Sequence, residues 1–192
     1  MRREIEIKLS VADPRATRRR LARLGFHRVS KRHFERNFLF DFPDRRLRKE
    51  GCLLRLRFEH GRCLLTFKGR RIGPRRFKVR PEIEARLADG PALGKILEAI
   101  GLRIAFCYEK YRTLYAREGD GNHTEVAYDE TPIGTYLELE GPPRWIDRVA
   151  RELGYGPQDY ITPSYGRLYL GWCDTHRRKP AHMVFRATRD QV

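Results

Sequence analysis

The chain of 192 residues has no long apolar run. Nothing in it approaches the roughly 18 consecutive apolar residues that a membrane-spanning helix needs, and no apolar stretch behind the basic start reads as a secretory signal. Cysteine is scarce: Cys52, Cys63, Cys107 and Cys173 are scattered without a CxxC. That argues against zinc and against a disulfide framework, and fits reduced thiols in a cytoplasmic protein. The six histidines show no HExxH or other metal-ligand spacing, and His123, His176 and His182 read as solvated. Gly69 and Gly73 flank a basic loop without completing the GxxxxGK[ST] phosphate loop. Acid is the minority charge, with 25 Asp and Glu against 41 Lys and Arg, a net +16. Such an excess calls for a polyanionic partner: nucleic acid, a phosphate-rich small molecule or an acidic membrane surface.

What remains is ordinary globular material, 40% hydrophobic and 34% charged, of a length that suits one domain. "EIEIK" (4–8) alternates acid or base with isoleucine and predicts a strand. "DPRATRRRLARLG" (13–25) predicts a helix capped by Asp13, with Pro14 at its first position and Gly25 past its end. A long strand is expected over 27–41, a hairpin over 52–69, and a basic connection over 70–81. Strands follow at 82–87, 102–116, 123–129 and 135–141, with helices at 90–101 and 143–154. The segment after Cys173 reads as a loosely packed basic tail.

Three segments recur in order. "EIEIKL" returns as "EIEARL", "LARLGF" as "LEAIGL", and "FERNFLF" as "YEKYRTLY". Each half is therefore strand, helix, long strand and hairpin. Two such halves give about eight antiparallel strands, and closing them into a barrel with helices outside removes the bare edges. The expected class is α+β: one domain over 1–172 and a basic C-terminal tail over 173–192.

Residues two apart on a strand share a face. One face collects Glu4, Glu6 and Lys8; Arg55, Arg57 and Glu59; Thr66 and Lys68; Glu82, Glu84 and Arg86; Lys110 and Arg112; Glu138 and Glu140. The opposite face is Ile5, Ile7, Leu54, Leu56, Phe58, Leu65, Phe67, Ile83, Leu137 and Leu139. If the apolar face lies beneath helices, the charged face lines a channel. Cations grip phosphate oxygens, whereas carboxylates approach phosphate only through a divalent metal. Both together point to a metal–polyphosphate complex.

In their order, "EIEIK", "ERNFLFDFPDRRLRKEGCLLRLR" (35–57), "TFKG" (66–69), "RPEIE" (80–84), "EKYR" (109–112), "VAYDETPIGTYLELEG" (126–141) and "SYGRLY" (164–169) resemble the CYTH family, or triphosphate tunnel metalloenzymes. The resemblance implies an eight-stranded closed antiparallel tunnel. It implies triphosphate binding by Lys8, Arg55, Arg57, Lys68, Lys110 and Arg112. It implies Mg²⁺ or Mn²⁺ at Glu4, Glu6, Asp129, Glu138 and Glu140, with Glu82 and Glu84 as further acidic positions. Glu4, Glu6 and Lys8 are the expected catalytic set. Hydrolysis of a small triphosphate, foremost inorganic triphosphate, is the expected activity. The alternatives are a class IV adenylyl cyclase converting ATP to cyclic AMP and pyrophosphate, a thiamine triphosphatase, or a non-catalytic polyphosphate or nucleic-acid binder. No specific nucleic acid or membrane partner is expected, although non-specific nucleic-acid binding at low salt is. Oligomeric state is not legible.

Overall fold

A computed structural model of the protein describes residues 2–73 and 76–186. The period-two segments form β1 (Arg2–Ser10), β2 (His27–Arg28), β3 (His33–Asp41), β4 (Leu53–Glu59), β5 (Arg62–Lys68), β6 (Lys78–Leu87), β7 (Arg103–Ala116), β8 (Glu125–Thr131) and β9 (Gly134–Glu140). Between them lie α1 (Pro14–Arg23), α2 (Arg46–Lys49), α3 (Gly90–Ala99), α4 (Pro143–Glu152) and α5 (Tyr165–Thr175). Asp13 caps α1 by accepting from the backbone N–H of Arg15 and Ala16, and Asp89 caps α3 through Ala92.

Eight strands run antiparallel in the order β7-β3-β4-β5-β6-β1-β9-β8, and β8 closes back onto β7. The two-residue β2 is an outrigger on β7. The sequence repeat has a structural counterpart. Exchanging β1, β3, β4 and β5 with β6, β7, β8 and β9 leaves every pairing intact, with β1 against β6 and β3 against β7 at the two seams.

The core lies outside this barrel. Ile7, Leu9, Val126, Tyr128, Leu137 and Leu139 point outward beneath Leu21 of α1 and Trp145, Ile146 and Val149 of α4. A second cluster sets Leu97 of α3 against Phe40, Leu56 and Cys63. Each fully covered aliphatic side chain contributes roughly 1.5–3 kcal/mol, so the helices hold the wall shut and leave the inward face to charge.

Three boundaries differ from the sequence expectation. The 27–41 strand is broken between β2 and β3. Strand β6 begins at Lys78, inside the segment read as a basic connection, of which Pro74 and Arg75 lie outside the described residues. The tail is not loose as far as residue 186. Helix α5 runs through residue 173, and Met183 is 1% exposed. Strand β8 pairs with β7 only along Tyr111–Tyr115, so the earlier part of β7 needs another partner. Met183 supplies it: its N–H donates to the Cys107 carbonyl at 3.0 Å and its carbonyl accepts from Glu109 N–H at 2.9 Å. One short bridge leaves no periodic signature. The last six tail residues, 187–192, lie outside the described residues.

Candidate active site

The inward positions of the strands line a cavity of about 580 Å³. Glu4, Glu6, Lys8, Arg55, Arg57, Lys68, Glu82, Glu84, Lys110, Arg112, Glu138 and Glu140 all face it. The segment Asn122–Thr124 joins them at its edge, where His123 is the exposed turn residue that the sequence predicts.

Acids and bases interlock along the wall. Lys8 Nζ lies 3.0 Å from Glu138 Oε1 and 3.2 Å from Glu6 Oε1. Lys78 donates to the same Glu6 oxygen at 2.5 Å, and Lys68 pairs with Glu4. Across the barrel Arg112 binds Asp129 through Nε and Nη2, each at 2.6 Å, and also pairs with Glu138. Arg55 Nη2 donates to Thr66 Oγ1 at 3.1 Å, and that hydroxyl donates to Glu84 at 3.0 Å. Arg57 reaches Asn37 Oδ1 at 3.2 Å and Glu59 Oε2 at 3.3 Å.

These contacts separate carboxylates that look alike in sequence. Burial opposes ionisation of Glu6, but Lys78, Lys8 and Lys68 outweigh it and hold its carboxyl well below the usual range. Glu138 is likewise depressed, with Lys8, Arg112 and Lys110 overcoming its burial. Glu4 goes the other way: burial and the neighbouring Glu6 raise it despite Lys68. Its Oε2 is buried with no hydrogen-bond partner among the described residues, whereas Oε1 holds Lys68. A buried carboxylate oxygen without a hydrogen-bond donor, near Glu6 and Glu82, suits a hard divalent cation.

Asp129 occupies a different place from the other expected acids. It is fully buried behind the wall, saturated by Arg112, by Lys110 at 2.9 Å and by the Tyr165 hydroxyl at 2.7 Å. In this geometry it aims cations into the cavity. Where β3 begins and β4 ends, His33, Glu35 and Glu59 bring one ligand atom each within 4.8 Å of one another, a His/Glu group suited to a divalent metal. Glu35 is 0% exposed, and Lys110, Arg57 and Arg112 stand 3.4–3.7 Å from it.

Sequence reasoning missed Glu35, Asn37, Lys78, Arg80 and Glu125, and the absence of histidine motifs hid His33. The signal was available. Glu35 and His33 share parity on β3, and Glu35 registers against Glu59 and Lys110. Extending the Glu82–Glu84 parity backwards along β6 reaches Arg80 and Lys78.

A family model for the CYTH domain matches residues 2–165. The chain belongs to the CYTH family. Among curated relatives, a Methanocaldococcus jannaschii protein provisionally named an adenylate cyclase is 31% identical over 138 residues, 71% of this CYTH chain and 75% of the relative. A Pyrococcus horikoshii structure superposes with a TM-score of 0.74 at 23% identity, covering 88% of this chain and 98% of its own. A Hippeastrum protein, described as a provisional adenylyl cyclase with a dominant triphosphatase activity, has the same fold at a TM-score of 0.62 and 19% identity, covering 92% and 97%. No helix among the described residues of the CYTH chain is long and apolar enough to cross a membrane.

Proposed function

We propose that the protein is a divalent-metal-dependent triphosphatase whose foremost substrate is inorganic triphosphate, held inside the charged tunnel. The observation that carries this is the interlocking of six cations, Lys8, Arg55, Arg57, Lys68, Lys110 and Arg112, with carboxylates around one cavity, one of which, Glu4, keeps an unpartnered buried oxygen. A tunnel built for a bare polyanion would not spend acids on its wall.

The cations form a pre-arranged receptor, because Asp129, Glu35, Thr66 and Asn37 hold Lys110, Arg112, Arg55 and Arg57, and the tunnel carboxylates hold Lys8 and Lys68. Arg55, Arg57 and Arg112 present forks, and Lys8, Lys68 and Lys110 present point charges. The anion takes over their outward donors, which stabilises the charge that develops on phosphoryl oxygens during transfer. Glu4, Glu6, Glu138 and Glu140 would hold Mg²⁺ or Mn²⁺, which neutralises phosphate charge and lowers the pKa of an attacking water. Glu6 is kept ionised by its lysines and is a weak base. Glu4 has Oε1 on Lys68 and would turn its open Oε2 to the metal. Barrel closure and the C-terminal strap on β7 keep these groups in place through the cycle.

The test is phosphate release from inorganic triphosphate with Mg²⁺, with Mn²⁺ and with chelator, beside ATP with cyclic-nucleotide detection. Release from triphosphate that vanishes with chelator is expected. Cyclic AMP as the dominant product would replace hydrolysis by the cyclase reading, which the names of the M. jannaschii and Hippeastrum proteins keep in view.

A further inference from the structure

Tyr165 is the first residue of α5, and the helix sends its side chain into the tunnel wall. Its place follows from β1. Lys8 exchanges both backbone hydrogen bonds with Ile161, at 2.8 and 2.9 Å, and α5 starts four residues after that bridge. Tyr136 and Tyr108 set the plane of the Tyr165 ring, with centroids 5.7 and 6.1 Å away, and the residue is buried.

The ring meets two tunnel cations. Lys8 Nζ is 5.1 Å and Lys110 Nζ 5.4 Å from its centroid, inside the range over which a ring face attracts an ammonium group. The same two groups approach Glu138, at 3.0 and 3.9 Å, so they converge from β1 and β7 on one ring and one carboxylate. A carboxylate holds an ammonium by engaging its N–H donors. A ring attracts the charge through its quadrupole and leaves strong acceptors to be met elsewhere. The hydroxyl has a second task. It donates to Asp129 Oδ2 at 2.7 Å, and that oxygen also accepts from Lys110 at 2.9 Å and from Arg112 Nη2 at 2.6 Å. Asp129 is fully buried, so bulk water cannot replace a missing donor. Burial, with Asp129 and Glu138 beside it, holds the Tyr165 phenol well above its ordinary value, and the hydroxyl keeps its proton. Of the three donors to Oδ2 it is the neutral one, and it satisfies part of Asp129 without drawing on a cation.

We propose that Tyr165 is a positioning residue for triphosphate binding, acting through Lys8, Lys110 and Arg112 rather than through a bond of its own to the substrate. Its ring holds the two ammonium groups in place beside Glu138. Its hydroxyl takes up acceptor capacity on Asp129 that would otherwise pull Lys110 and Arg112 away from the anion. With the side chain removed, the cations close onto Glu138 and Asp129, which then compete with phosphate oxygens for the same donors. The strands alone therefore leave the receptor unfinished, and a side chain of α5, 36 residues beyond Asp129, completes it. This deepens the triphosphatase reading and rests on it.

The test is calorimetric titration of the full chain by inorganic triphosphate without metal, for wild type, Tyr165→Phe, Tyr165→Leu and Tyr169→Leu, with urea unfolding of each. Tyr169 is the control. It belongs to the same apolar cluster as Tyr165, and its hydroxyl accepts from the Ala181 N–H at 3.4 Å rather than meeting a tunnel cation. Tyr165→Phe keeps the ring and is expected to raise the Kd about threefold to tenfold, up to the scale of one hydrogen bond to a charged group. Tyr165→Leu should raise it about tenfold further, the scale of two desolvated ring–ammonium contacts, so the phenylalanine recovers part of what the leucine loses. Tyr169→Leu should lower the urea midpoint yet leave the Kd within about twofold of wild type. Wild-type affinity in either Tyr165 variant overturns the proposal and leaves the triphosphatase reading standing. Equal weakening by Tyr169→Leu and Tyr165→Leu assigns the effect to helix docking and overturns it as well. Failure of wild type to bind triphosphate overturns that reading itself.

Discussion

Glu4 and Glu6 stand two residues apart on one face of one strand, yet their surroundings divide their work. Glu6 accepts from Lys78 and Lys8, and Glu4 keeps one oxygen unpartnered. Glu4→Gln preserves shape and leaves an amide oxygen for Lys68. It should cut metal-dependent turnover by about 10–100-fold, the scale of disturbing a metal site. Metal-free triphosphate binding should not weaken, because a negative charge has left the tunnel. Steady-state kinetics and calorimetry on the same preparation separate the two effects, and unaltered turnover would remove Glu4 from the chemistry. Arg57 argues the converse case. Its guanidinium is held by Asn37 and Glu59 and faces the cavity. Arg57→Ala should weaken triphosphate binding by about 2–5 kcal/mol, the range for truncating a desolvated charge partner. Binding as tight as in wild type would show that the anion lies elsewhere in the barrel.

At the scale of elements, each strand presents one face to helices and the other to the tunnel, so a one-residue register slip would exchange the two. The segment that seals β7 is small, and its contribution is local: Met183 sits among Tyr108, Tyr165, Tyr169 and Cys173. Met183→Ala should cost about 2–5 kcal/mol in urea unfolding, as for other large-to-small changes at buried sites. A cost below about 0.5 kcal/mol, the level of surface substitutions, would mean that the segment does not hold the barrel. Strand parity made most of the tunnel readable, because an alternating run states which residues share a face. The recurrence of EIEIK as EIEAR identified the two halves now seen to interchange strand for strand. Parity failed where the pattern was interrupted. Gly73 and a proline-containing basic loop concealed that β6 starts at Lys78, and Pro81 inside the strand discouraged extending it. Asp129 was legible as a tunnel acid, but its burial under Arg112, Lys110 and Tyr165 depends on α5 docking from 36 residues away.

For the whole molecule, the net charge and the binding site are separate matters. The tunnel's cations are Lys8, Arg55, Arg57, Lys68, Lys78, Arg80, Lys110 and Arg112. Its acids are Glu4, Glu6, Glu35, Glu59, Glu82, Glu84, Glu125, Asp129, Glu138 and Glu140. Eight against ten leaves this set at −2, so the rest of the chain carries +18, in runs such as Arg18–Arg20 and Arg45–Lys49. The surface excess is diffuse and solvent-screened, whereas the tunnel is nearly neutral and selects by geometry. Two kinds of polyanion binding should therefore be distinguishable by salt. A duplex DNA oligonucleotide should bind at about 50 mM salt and lose about 10³-fold or more in affinity by 200 mM, as counterion release at many phosphate contacts dictates. Triphosphate, buried in a low-dielectric cavity, should lose far less over the same range, because charges inside the barrel are screened only weakly. Fluorescence anisotropy for the oligonucleotide and calorimetry for triphosphate give both slopes. A DNA slope as shallow as that of triphosphate, together with mutual competition, would place nucleic acid in the tunnel and turn the exterior charge into a bystander.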